Sequence, residues 1–136
     1  MDINAVFTGL ANGADTIAGL NCFAYAPDAV PPPAFFPFDV DIDFDKAFAR
    51  GMDALIVRCR LLVSHADDRS GQKALKEYLA GSGSKSIKQA LEADRTLGGA
   101  CHDIHVQRAT GYGLYEHALN QFFGAEFTAL VIGSGV

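Results

Sequence analysis

The feature that most constrains this chain is the apolar run Ala54-Leu55-Ile56-Val57-Arg58-Cys59-Arg60-Leu61-Leu62-Val63. A polar break at 64–70 follows it, and then a second patterned stretch at 71–80. The run is rich in Ile, Leu and Val and long enough to cross a sheet, which predicts a central strand covered on most of both faces. Beyond the break, Leu75 and Leu79 lie one turn apart with Ala74 and Tyr78 beside them, an apolar stripe on a helix. Asp67, Asp68 and Ser70 are each suited to cap its start, where a carboxylate also meets the positive end of the helix dipole. Residues 52–80 are therefore expected to form a strand, a short polar turn and a helix folded back onto the sheet.

The flanking patterns extend this unit. Ile3, Val6, Phe7, Leu10, Ala14 and Ile17 recur at helical spacing, predicting a helix over 2–17 with Asp2 as its N-cap. Gly9 and Gly13 lie off that stripe and each weakens the helix by about 1 kcal/mol. A short strand is expected at 21–25, and Pro31-Pro32-Pro33 makes the next connection stiff and extended. From 34 to 45 the alternation is the cleanest in the chain. Phe36, Phe38, Val40, Ile42 and Phe44 are expected on one side, and Pro37, Asp39, Asp41, Asp43 and Asp45 on the other, a half-buried strand. Pro37 suits an edge position, and 46–51 is expected to be a turn.

After a flexible joint at Gly81-Ser82-Gly83-Ser84, Ser86 with Gln89 forms a capping box for a short helix ending near Asp94. A turn falls at 97–100. The last third reads as strands at 102–110, 114–118 and 122–132, the last two forming a hairpin, with a bulge or bend at 111–113. The whole predicts one α+β domain over 1–136: roughly five strands, mainly antiparallel, with helices packed on one face.

A chain of 136 residues, 49% hydrophobic and 20% charged, buries enough surface to fold without disulfides or metal. Its net charge of −5, with no basic cluster, argues against nucleic-acid binding by phosphate neutralisation. Three cysteines without a CxxC motif predict buried thiols in a reducing compartment. No apolar run reaches the ~20 residues of a membrane helix, and the first residues lack a signal-peptide pattern. A soluble protein made in the cytoplasm is expected.

The only dense array of ionisable groups is the acidic row Asp39, Asp41, Asp43 and Asp45. Neighbours on one strand face are about 7 Å apart, and in water each pair repels by about 0.6 kcal/mol. Such a row suits a solvated acidic face, or an acidic surface with a purpose: edge protection, a lumen wall or a partner contact. A metal suits it poorly, since alternating residues on a straight strand cannot wrap one ion. The likeness to a calcium loop also fails at Phe44, where glycine is needed, and at Arg50, where glutamate is needed. His65, His102, His105 and His117 are scattered. A nucleophilic Cys101 with some histidine is the weakest candidate, and Gly81–Ser84 lacks the Lys-Ser/Thr of a phosphate loop. No cofactor or metal and no catalysis are expected. A small metal-dependent enzyme using Asp39, Asp41 and Asp43 is the alternative from another class.

One resemblance adds to this. Asp67-Asp68-Arg69-Ser70 through Tyr78-Leu79, then Leu97-Gly98-Gly99, Gly111-Tyr112-Gly113 and Gly124-Ala125-Glu126-Phe127-Thr128, resemble the small neck and tail-completion proteins of long-tailed bacteriophages. The likeness is to the tail-terminator group of phages infecting actinobacteria, and it covers most of the chain through structural rather than chemical motifs. It implies a sheet flanked by helices, and a homo-oligomeric, six-fold ring in the virion neck. Such a ring ends tail-tube polymerisation and joins tail to head. The implied partners are the major tail-tube protein, a head-closure or connector protein, and DNA passing through the lumen without specific binding. No catalytic residue is implied. Another neck component, head-closure or connector, is the runner-up.

Overall fold

A computed structural model describes residues 1–44, 51–64, 68–117 and 119–134. Eight elements follow in order: α1 (Ile3–Ala14), β1 (Asn21–Cys22), β2 (Ala34–Asp43), β3 (Met52–Ser64), α2 (Asp68–Tyr78), α3 (Ile87–Glu92), β4 (Asp103–His117) and β5 (Asn120–Ser134). β3 is the middle strand of one five-stranded sheet of order β1-β2-β3-β5-β4. β1 runs parallel to β2 and every other pairing is antiparallel, giving a mixed, mostly antiparallel α+β domain.

The period-two geometry of β3 sorts its side chains. Leu55, Val57, Cys59, Leu61 and Val63 enter the main core with Val6, Leu10 and Ala14 of α1, Leu75 and Tyr78 of α2, and Ile87 and Leu91 of α3. Each fully buried leucine there contributes about 1.5–3 kcal/mol. All three helices thus lie on one face. The expectation that β3 would be covered on both faces fails. Its other face carries Arg58 and Arg60, whose charged heads stay near water, with half-buried Ile56 between β2 and β5. On that side only a small cluster forms, Leu62 with Phe36 and Phe122, backed by Phe23, Val30, Phe38 and Tyr115.

The alternation of β2 is broken where the sequence looks most regular. Pro37 pairs with Cys59 and Asp39 with Arg58, so Phe38 is an extra residue in a β-bulge. A bulge reverses the facing of everything beyond it. Phe36 and Phe38 therefore point to the open face, whereas Val40 and Ile42 pack against the helix-side core. Phe44 is 70% exposed rather than inward. The bulge keeps Asp39, Asp41 and Asp43 on the open face. Asp45 and the expected turn at 46–50 lie outside the described residues.

Other boundaries moved for local reasons. α1 stops at Ala14, where Asp15 caps it, yet Ile17 in the following turn is still buried. Asp2 is its N-cap, accepting from the Asn4 amide at 2.9 Å. Gly9 is not a passive weakness: a Cβ there would stand 2.7 Å from Leu97 Cβ and 2.9 Å from its carbonyl oxygen, so glycine lets α1 reach the 94–100 turn. The strand expected at 21–25 shrinks to two paired residues, leaving Tyr25 exposed. Ser86 caps α3 by accepting from the Gln89 amide at 3.1 Å, but Gln89 returns its bond to the Gly83 amide rather than completing a capping box. The two short strands expected at 102–110 and 114–118 are one strand, β4, that passes through 110–113 on a register shift. The cap of α2 and the hairpin residue Ala118 lie outside the described residues. No helix among the described residues is long and apolar enough to cross a membrane.

Candidate functional site

The helix-free face of the sheet carries a regular pattern of side chains. Strand register arranges it in transverse rows. One row runs Phe36, Arg60, Glu126, Thr110; the next Asp39, Arg58, Thr128, Arg108; the next Asp41, Ile56, Leu130, His105. Carboxylates thus stand along the β2 side and basic or polar groups along β4, with half-buried Ile56, Leu130 and Ile132 between.

Arg58 is the hinge of the acidic row. Its Nη1 lies 2.7 Å from Asp39 and 3.0 Å from Asp41. Its hydrogen bonds to Asp41 and Asp39, then their charges, hold the guanidinium even further above its ordinary titration range. The acidic face is therefore not a bare row repelling itself in water: two of its carboxylates share one guanidinium from the next strand. Sequence spacing along β2 cannot reveal this, because the counter-charge comes from a residue 19 positions away.

Arg60 lies beside it in a drier setting. Its Nη2 donates to Glu126 at 2.7 Å, and its guanidinium sits 4.3 Å from the Phe38 ring centroid and 5.1 Å from that of Tyr115. Both charged side chains are about a quarter exposed. Arg60 Nε is buried without an acceptor among the described residues. The bulge at Phe38 and a glycine at 124 make this stack feasible. A Cβ on Gly124 would meet the Leu61 carbonyl oxygen at 2.5 Å and Tyr115 Cδ2 at 2.9 Å. One signal was available in the sequence: two arginines two apart in an apolar strand must share a face, which then cannot be a closed core.

The remaining candidates do not converge. His102 precedes β4, and His105 lies 3.6 Å from Glu92. His117 Nε2 is 2.6 Å from the Pro27 carbonyl oxygen, holding the 23–33 segment against β4. His65 and Asp67 lie outside the described residues. The cysteines are all unpaired. Burial, helped by the charge of Asp15, pushes the Cys22 thiol up to about 12. Burial likewise raises Cys59 and Cys101, so their thiolates are disfavoured. No three His, Cys, Asp or Glu side chains form a metal-binding set among the described residues.

The helix-free face combines half-buried apolar side chains with paired charges, a mixture also found at protein interfaces. No protein-family model matches the chain, and no curated protein sequence matches it.

Proposed function

We infer that this protein is a structural virion component. On this reading it assembles as a ring, caps the head-proximal end of a phage tail tube, and joins tail to head. It works by fitting surfaces together rather than by catalysis. The observation that supports this most is the helix-free face, where Ile56, Leu130 and Ile132 stay half-buried among the pairs Arg58–Asp39/Asp41 and Arg60–Glu126. A monomer gains little from holding apolar groups half in water, whereas a subunit gains by covering them. The resemblance of the chain to tail terminators names the assembly, with the tail-tube protein and a head-closure or connector protein as neighbours. The net charge of −5 suits a protein past which DNA slides without adhering.

The test is to mix the purified protein with isolated tail tubes and image the tubes by negative-stain microscopy. A ring or cap at one end of each tube is expected. Complementation of a phage lacking this gene product should restore joined particles from separate heads and overlong tails. Bare tube ends at about 50 μM protein, well above a micromolar contact, sink the reading.

A further inference from the structure

We propose that copies of this chain join edge to edge, the outer edge of β4 in one copy adding antiparallel to the outer edge of β2 in the next. The ring reading above is its premise, and the proposal names the contact that would build the ring.

β4 is a terminal strand, and α3 guards the start of its outer edge. Glu92 accepts the outward Val106 amide at 2.7 Å, and Lys88 Nζ stands 3.5 Å from the Val106 carbonyl oxygen, so α3 blocks that stretch. Past the register shift at Gln107, no side-chain bond caps Arg108 to Thr110 among the described residues; further along, Tyr112 donates to Gln72 of α2 and Tyr115 to the Gly111 carbonyl. Arg108, Ala109 and Thr110 are exposed although they alternate between the two faces. Tyr112 and Leu114 follow at 46% and 57% exposure. An exposed edge strand with apolar side chains is a template for another strand.

The opposite edge offers the counterpart. β1 pairs only with Ala34 and Phe35, so β2 from Asp39 to Asp43 has no strand on its outer side among the described residues. β2 runs antiparallel to β3, β3 to β5, and β5 to β4. Two copies in the same orientation therefore bring β4 and β2 together antiparallel, as a sheet prefers. Such a contact is head-to-tail and repeats around a ring.

Charge selects this pairing over β4 with β4. The Asp39, Arg58, Thr128, Arg108 row is acidic at one end and basic at the other. Asp39 and Asp41 share only Arg58, which leaves one negative charge over. The Arg108 side chain has no hydrogen bond or ion pair among the described residues, its backbone being paired with Thr128 in the sheet. Edge joining sets Arg108 beside Asp39 and Asp41 of the neighbour, whereas β4 against β4 sets Arg108 near its own copy.

Sedimentation velocity on the full chain tests this. The parent should associate beyond dimers as concentration rises. Arg108→Glu should weaken association at least about tenfold, because it faces a carboxylate with a carboxylate. Asp41→Arg alone should do the same, and the double variant Arg108→Glu/Asp41→Arg should regain assembly. Far-UV circular dichroism should stay unchanged and melting should shift only slightly, since both side chains are exposed and Asp41 loses only a surface ion pair with Arg58. A parent that stays monomeric, a dimer that Arg108→Cys alone cross-links, or a double variant without rescue overturns the proposal. Rings insensitive to Arg108→Glu refute edge joining and leave the ring reading intact. Charge-sensitive oligomers that ignore tail tubes support edge joining and sink the tail reading instead.

Discussion

Replacing Gly9 by alanine should destabilise the protein, and replacing Gly13 by alanine should stabilise it. Both residues lie in α1, where glycine to alanine gains about 1 kcal/mol in helix propensity. Only the surroundings differ. The Gly9 Cβ would stand 2.7 Å from Leu97 Cβ and 2.9 Å from Leu97 O, whereas ordinary carbon contacts settle at about 3.5–4.0 Å. α1 would have to lift by roughly 1 Å from the 94–100 turn, an overpacking cost of about 1–3 kcal/mol. Leu97 is poorly placed to yield. It is 5% exposed, its φ is +49°, and its turn is tied by Asp94, which accepts the Gly98 amide at 2.8 Å and the Thr96 amide at 3.2 Å. The net expectation for Gly9→Ala is a loss of about 1 kcal/mol. At Gly13 the nearest atoms would be Ala90 O and Leu91 Cδ2, both at 3.5 Å, so the propensity gain survives. The two variants should differ by about 2 kcal/mol, or roughly 6–10 °C in Tm for a chain of this size. Urea melts followed by circular dichroism measure both values. A Gly9→Ala protein more stable than the parent would refute the close approach of α1 to the turn.

Leu75→Ala and Leu62→Ala should each cost about 2–5 kcal/mol in denaturant melts, since both side chains are fully buried, one under α2 and one in the small open-face cluster; losses under about 0.5 kcal/mol would contradict this burial. Glu92 links α3 to β4. Burial pushes its carboxyl up, but the bonds from Lys88 and the Val106 amide, with the charges of Lys88 and His105, outweigh that and hold it below 4.5. A depressed carboxyl stabilises the fold above its ordinary value and loses that contribution as pH falls through the folded-state value. Glu92→Gln should therefore flatten the fall in Tm below pH 4.5, and an acid profile identical to the parent's would remove Glu92 from the account. Asn at Asp39, Asp41, Asp43 and Asp45 together should leave the fold intact and make melting less sensitive to a further Arg58→Gln change than the parent is, because the ion pairs of Arg58 are already gone. Thermal melts with and without calcium check the alternative: a calcium-dependent rise in the parent that vanishes in the variant would make the row a metal site.

How much could be read from the chain alone follows from the range of the interactions involved. The stripe of α1, the run of β3, the caps Asp2 and Ser86 and the α+β class were legible because each depends on neighbours within a few residues. The acidic strand was legible as a face, yet its meaning was not. Asp39 and Asp41 are balanced by Arg58 and not by anything near them in sequence. The bulge at Phe38 was hidden by an alternation that continues through it unbroken, since an inserted residue shows only in the register with β3. Gly9 looked like a local weakness and proved to be a close approach to Leu97, and Gly124 lets the strand reach Leu61 and Tyr115; only packing could disclose either. Local sequence thus determined which segments form helix or strand. The tertiary structure decided which sheet face stays open and which charges meet across it, because register and packing depend on contacts between residues far apart in the chain.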